Sequence, residues 1–148
     1  MRVLLQVVQN ASCVIDEKTF SSINKGFLLF VGFTSTDNEE IMKKVISKIT
    51  SLRVFLDSEG KTNLSLEDVH GEIMCISQFT LYADIKKGRR PSFVEAAKQE
   101  ISKPLYEKTL SYINELGYTC KSGVFGADMK INLINDGPFT IILDSKDL

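Results

Sequence analysis

Histidine occurs once in the 148 residues, and that scarcity removes much of the usual hydrolytic repertoire. A serine or cysteine hydrolase of the common design needs a base beside its nucleophile and a third group to orient the base. The one candidate, His70, stands in the turn-like stretch Asp68-Val69-His70-Gly71, where it is either such a base or a solvated side chain. Cysteine is scarce too. Cys13, Cys75 and Cys120 form no spaced motif, and no His/Cys cluster has zinc-ligand spacing. Cys13 and Cys75 lie in apolar runs and read as small buried hydrophobes of a reducing compartment. Neither a glycine-rich phosphate loop nor a dinucleotide fingerprint is present, so no metal and no cofactor is expected. The opening Met1-Arg2-Val3-Leu4-Leu5-Gln6 lacks a signal-peptide layout. The longest apolar run, Phe27 to Phe33, falls far short of the ~20 residues of a membrane helix. The expectation is a soluble, cytoplasmic protein with no membrane partner. A formal net charge of −1 argues against blanket phosphate neutralisation, so any nucleic-acid contact must be local.

What is present suits one globular domain spanning residues 1–148, with 43% hydrophobic and 25% charged residues and no repeat or low-complexity stretch. Folding at this length buries roughly 70% of the surface an unfolded chain exposes. Arg2 to Val8 and Ser12 to Asp16 read as strands separated by Gln9-Asn10-Ala11. Lys18 to Ile23 follows, then a turn at Asn24-Lys25-Gly26 and a strand over Phe27 to Val31 that is apolar at every position, as if buried on both faces. Thr36 and Glu39 have capping-box spacing ahead of a helix whose apolar face is Ile41, Met42, Val45, Ile46 and Ile49. Arg53 to Leu56 returns to strand before a turn at Asp57 to Gly60. Glu72 to Tyr82 reads as one long strand, followed by a polar loop from Asp84 to Pro91. A second helix is expected from about Lys103, with Pro104 in its first turn and Gly117 closing it. Strands over Tyr118 to Lys121, Lys130 to Leu133 and Phe139 to Leu143 finish the chain. Strands outnumber helices and few are joined by helical crossovers. The predicted fold is therefore α+β, with a mostly antiparallel, curved or barrel-like sheet and two main helices.

Three segments can carry chemistry. Ser77-Gln78-Phe79-Thr80 is polar near the end of a strong strand. It is either an edge strand with one solvated face or a row of backbone N–H donors and hydroxyls aimed at a substrate carbonyl. Asn135-Asp136-Gly137-Pro138 is either a plain β-turn or a place where a cis Gly137–Pro138 bond fixes the direction of two carbonyls. Lys86-Lys87-Gly88-Arg89-Arg90 is either a solvated charge run or the one local patch able to meet a phosphate backbone.

Taken in their order along the chain, these segments resemble the D-aminoacyl-tRNA deacylase family. The likeness also takes in the N-terminal strand, Leu52-Arg53-Val54-Phe55, Asn63-Leu64-Ser65, Pro91-Ser92-Phe93 and Phe125-Gly126-Ala127-Asp128-Met129, and so covers nearly the whole chain. It implies a homodimeric hydrolase that cleaves the ester between a D-amino acid and the 3′-terminal adenosine of tRNA, and that removes glycine mischarged on tRNA(Ala). It implies that Gly137 and Pro138 form a cis dipeptide reaching into the partner subunit's active site. There their carbonyls would fill the space of an L side chain, so rejection is steric and achiral glycine passes. Ser77, Gln78, Phe79 and Thr80 would form the catalytic segment. Phe125, Ala127 and Met129 would bind substrate, with Phe125 and Met129 flanking the adenosine. Lys86, Lys87, Arg89 and Arg90 would contact tRNA. The implied partners are the aminoacylated tRNA 3′ end and a second copy of the chain, not DNA.

Thr80 is a nucleophile candidate without a base, so we expect it to shape the pocket while the ribose 2′-hydroxyl of the tRNA assists attack. One departure stands out: the family commonly carries Arg in the first strand where this chain has Val7, a charged side chain that would support the Gly-Pro element, so either Val7 is compensated elsewhere or rejection of L-aminoacyl substrates is less strict. Phe139, where a smaller β-branched residue is usual, is a milder change. The competing readings are a non-catalytic tRNA-binding module and a small-ester hydrolase with Thr80 or Ser77 as nucleophile.

Overall fold

A computed structural model describes Met1–Leu148. The chain runs through β1 (Arg2–Ile15), β2 (Lys18–Ile23), β3 (Gly26–Gly32), α1 (Glu39–Thr50), β4 (Arg53–Leu56), β5 (Thr62–Ser65), β6 (Glu72–Ser77), α2 (Gln99–Glu115), β7 (Cys120–Ser122) and β8 (Lys130–Asp144). β1 is the spine of the sheet. Along one edge it pairs antiparallel with β8; along the other it pairs with β3 through Arg2 to Val8 and with β2 through Ala11 to Ile15. β3 pairs parallel with β6, and β6 parallel with β7. The Ser21 hydroxyl donates to the Ser122 carbonyl at 2.6 Å, so β2 meets β7 and the sheet curls toward closure. The fold is the expected α+β domain with a barrel-like, largely antiparallel sheet and two main helices.

β3 and β6 are buried on both faces, which explains their unbroken apolar sequence. Phe27, Leu29 and Val31 join Ile73 and Cys75 in the main core, which also takes in Met42, Val45, Ile46 and Ile49 of α1 and Leu105, Tyr106 and Ile113 of α2. Leu28, Met74 and Ile76 turn the other way into a smaller cluster with Val8, Ala11 and Cys13. β1 serves both clusters by slipping phase. Val3, Leu5 and Val7 face the main core, whereas Val8, Ala11 and Cys13 face the second, and bulges in its pairing with β8 fall between Gln6 and Asn10.

Several expected boundaries move. The polar Gln9-Asn10-Ala11 does not interrupt β1, because the bulges absorb it within one strand. Asn38, not Thr36, caps α1: its side chain accepts from the Ile41 N–H at 3.0 Å, while Asp37 ties Thr36 into a tight turn with Thr34. Glu39 is drawn instead to Lys43 and Lys108. β6 stops at Ser77, and Phe79–Tyr82 wind into a turn of 3₁₀ helix. α2 starts at Gln99, so Pro104 lies inside it. Gly117, at φ +92°, closes α2 as expected, with Gly117 N–H bonded to Asn114 O and Tyr118 N–H to Ile113 O. β5, absent from the sequence reading, pairs with β4. No helix is long and apolar enough to cross a membrane.

Candidate active site

The site is built where β6 gives out. Val31 O accepts the Gln78 N–H at 2.7 Å, which ends the parallel pairing of β3 with β6. The chain then folds over Gly32, where a Cβ would stand 2.8 Å from Gln78 O. The amides of Phe79 and Thr80 open the 3₁₀ turn and so have no acceptor within it. The far end of the turn is held by Arg2, which donates to Leu81 O at 3.0 Å, pairs with Asp144 at 2.8 Å and covers the Tyr82 ring at 4.6 Å. Burial pushes the Tyr82 hydroxyl pKa up, so this anchor is neutral.

The facing wall is the segment between β7 and β8. Phe125 packs at 5.8 Å against Tyr106, whose buried hydroxyl donates to Cys75 O at 2.7 Å. Ala127 N–H donates to Val124 O, and Gly126 takes φ +79°, which turns the segment back over the sheet. Between the walls lies a cavity of ≈ 310 Å³. Ser77, Gln78 and Phe79 line one side, and Phe125, Ala127 and Met129 line the other. Phe33, Ala97 and Ser102 also line it and were not foreseen. Ser102 is buried in the first turn of α2, a turn the sequence reading placed outside the helix, and its hydroxyl donates to Lys98 O at 3.0 Å.

The cavity is poor in ionisable groups. Asp128 is the only one on its lining, and it pairs with Lys130 at 2.8 Å. His70 is exposed, at φ +50°, in a turn that contributes nothing to the lining. The thiols are no substitute: burial raises all three cysteine pKa values, Cys120 to about 12, so none is a ready thiolate. Thr80 is exposed and off the lining; its Oγ1 accepts a hydrogen bond from the Gln78 side-chain amide. An amide donor cannot take the proton a nucleophilic hydroxyl must lose.

Gly137 and Pro138 are exposed and do not line the cavity of their own chain. Their peptide bond is cis. They stand within β8 and not between two strands: Asn135 pairs with Val8 and Thr140 with Gln6, so Asp136 to Phe139 bulge out opposite Val7. Asn135 grips the bulge, its Oδ1 accepting the Phe139 N–H at 2.8 Å and its Nδ2 donating to Thr140 Oγ1 at 3.0 Å. Val7 is buried in the main core. Lys86, Lys87, Arg89 and Arg90 sit in an exposed loop whose neck is a two-bond bridge between Asp84 and Ser92, and none of the four is in an ion pair.

The cavity thus offers an apolar binding surface and few ionisable groups. Comparison with known proteins gives the family. Residues 4–144 match the family model described as D-Tyr-tRNA(Tyr) deacylase, and the chain belongs to that family of deacylases. A D-aminoacyl-tRNA deacylase of Lactobacillus acidophilus is 54% identical over 144 residues, 97% of this chain and 99% of that protein. A solved structure named c-Myc DNA Unwinding Element Binding Protein superposes with a TM-score of 0.91 at 34% identity, over 97% of this chain and 98% of that one. A structure described as a probable eukaryotic D-amino acid tRNA deacylase shares the fold, with a TM-score of 0.83 at 18% identity, covering 96% of this chain and 97% of the other.

Proposed function

We propose that this deacylase hydrolyses the ester joining a D-amino acid, or glycine mischarged on tRNA(Ala), to the 3′-terminal adenosine of tRNA. The observation that carries the reading is the cavity itself: one lined by Ser77, Gln78 and Phe79 opposite Phe125, Ala127 and Met129, with no base beside any hydroxyl or thiol. In this reading the aminoacyl group lies against the end of β6 and the adenosine between Phe125 and Met129. Water adds to the ester carbonyl, and the charge that develops on its oxygen is met by the Phe79 amide. The ribose 3′-oxygen leaves as the tRNA hydroxyl, with the neighbouring 2′-hydroxyl passing the proton, and the free amino acid is released. The tRNA phosphates meet Lys86, Lys87, Arg89 and Arg90, whose charges nothing in the chain neutralises.

A second copy of the chain completes the site. Gly137 and Pro138 lie off their own cavity on the edge strand β8, beside the exposed Ile134 and Ile142, so their carbonyls act in the partner's cavity, where they exclude an L side chain. The decisive experiment is deacylation of D-tyrosyl-tRNA against L-tyrosyl-tRNA by the purified protein. Rapid release of the D-amino acid with the L-ester left intact is expected. Comparable rates on both would remove the chirality claim, and no release from either would remove the enzyme. The name of one structural neighbour raises DNA binding as a second reading; strong inhibition of deacylation by duplex DNA at physiological salt would favour it.

A further inference from the structure

Two phenylalanine rings stand between the cavity and the cationic loop, and neither ring has a part in the chemistry above. Phe79 and Phe93 meet edge to face, with centroids 5.0 Å apart and planes at 71°. Both are open to solvent, 56% for Phe79 and 38% for Phe93, and Ile85 and Val94 beside them are more exposed still. Their frame is held in place. Asp84 and Ser92 exchange two backbone hydrogen bonds, Thr34 Oγ1 donates to Glu95 O at 2.8 Å, and Ala97 N–H donates to Phe33 O at 2.8 Å. The rings are therefore fixed at the surface and left uncovered, an arrangement that marks a binding patch.

Charge and shape together name the occupant. The same neck that holds Phe93 carries the loop with Lys86, Lys87, Arg89 and Arg90, so the patch suits a polyanion. Flat aromatic faces beside unpaired cations suit a polyanion with flat faces of its own, which is single-stranded nucleic acid and not an acidic peptide. Phe79 also lines the cavity, so the two sites are contiguous. We propose that the Phe79–Phe93 pair is the stacking site for the unpaired nucleotide immediately 5′ of the terminal adenosine. This rests on the cavity being the aminoacyl-adenosine site.

The test uses Phe93→Leu, which keeps an apolar side chain but removes the ring, and three substrates: D-tyrosyl-tRNA, the D-tyrosyl ester of its terminal trinucleotide, and D-tyrosyl-adenosine. Loss of one base stack raises KM roughly five- to a hundredfold. That rise is expected for the tRNA and the trinucleotide at unchanged kcat, with the adenosine ester unaffected and Phe93→Trp restoring the parent values. An equal change on all three substrates, or none on any, overturns the stacking site. A parent enzyme that cleaves none of the three overturns the underlying reading instead.

Discussion

Replacing Thr80 with alanine separates the two chemistries the site could run, because their expected costs differ by about five orders of magnitude. In the structure the hydroxyl makes one hydrogen bond, accepted from the Gln78 amide, and it is exposed and off the cavity lining. Its removal forfeits one ordinary hydrogen bond, about 1 kcal/mol net, and loosens an amide that does line the cavity. Each 1.36 kcal/mol of barrier is tenfold in rate, so the expected fall in kcat is no more than about tenfold. A true nucleophile behaves otherwise: losing one has cost about 10⁶ in a well-studied serine protease. The assay is single-turnover release of labelled D-tyrosine from D-tyrosyl-tRNA with enzyme in excess, with KM measured alongside. Its companion substrate ends in 2′-deoxyadenosine and should bind normally but react about 10²- to 10⁴-fold more slowly, the usual worth of a positioned proton-transfer group. A collapse by several orders of magnitude in Thr80→Ala with binding intact, together with a normal rate on the deoxy substrate, would refute the substrate-assisted scheme.

Asn135→Ala removes both bonds that grip the Asp136 to Phe139 bulge, at about 1–3 kcal/mol, so discrimination between D-alanyl-tRNA and L-alanyl-tRNA should fall roughly five- to a hundredfold. Asn135→Asp, which keeps the acceptor for Phe139 N–H, should lose less, and an unchanged D/L ratio of kcat/KM in Asn135→Ala counts against the bulge as the chiral filter. Neutralising Lys86, Lys87, Arg89 and Arg90 together should flatten the slope of log KM against log salt by up to about 3 units, with kcat unchanged; a slope like the parent's would mean the loop touches no phosphate. Acid stability offers a test of the two ion pairs of Glu39, one within α1 and one reaching α2. Lys108, and then Lys43, hold the exposed Glu39 carboxylate down to about 2, so its contribution is fully present above the usual value of 4.5 and lost as pH falls from there toward 2. Urea titrations of the parent and Glu39→Gln should therefore converge across that window, and a gap that persists at pH 2 would contradict the assignment.

The fold was legible wherever one side chain's environment follows from its neighbours in sequence. The unbroken apolar run of β3 announced a strand covered on both faces, and the 3.6-residue spacing of Met42, Val45, Ile46 and Ile49 announced α1. Boundaries set by partners distant in sequence were not legible. Glu39 has the spacing of a capping residue, yet Lys108 of α2 claims its side chain. Ser77 to Tyr82 continues the β-rich composition of β6, yet the parallel partner β3 ends at Gly32 and leaves the chain to coil. β4 and β5 are short, four residues each, and only their mutual pairing makes β5 a strand.

The site divides along the same line. The residue types of Ser77 to Phe79 and Phe125 to Met129 can be read from the sequence, but that they face each other across one cavity follows from β7 lying beside β6, a pairing across more than forty residues. The Gly137-Pro138 segment looks in sequence like a turn between two strands. It is a four-residue excursion from a single strand, because Val8 and Gln6 of β1 capture Asn135 and Thr140 on either side of it. That capture also bears on the residue that seemed most anomalous. Val7 sits opposite the excursion but points into the main core, where a charged side chain would need a partner and the buried neighbours are apolar. In this chain the excursion is held by the neutral amide of Asn135, from the same strand as the dipeptide. A valine at position 7 is thus compatible with a well-held Gly-Pro element, and strictness toward L-esters in this protein becomes a question about Asn135 more than about Val7.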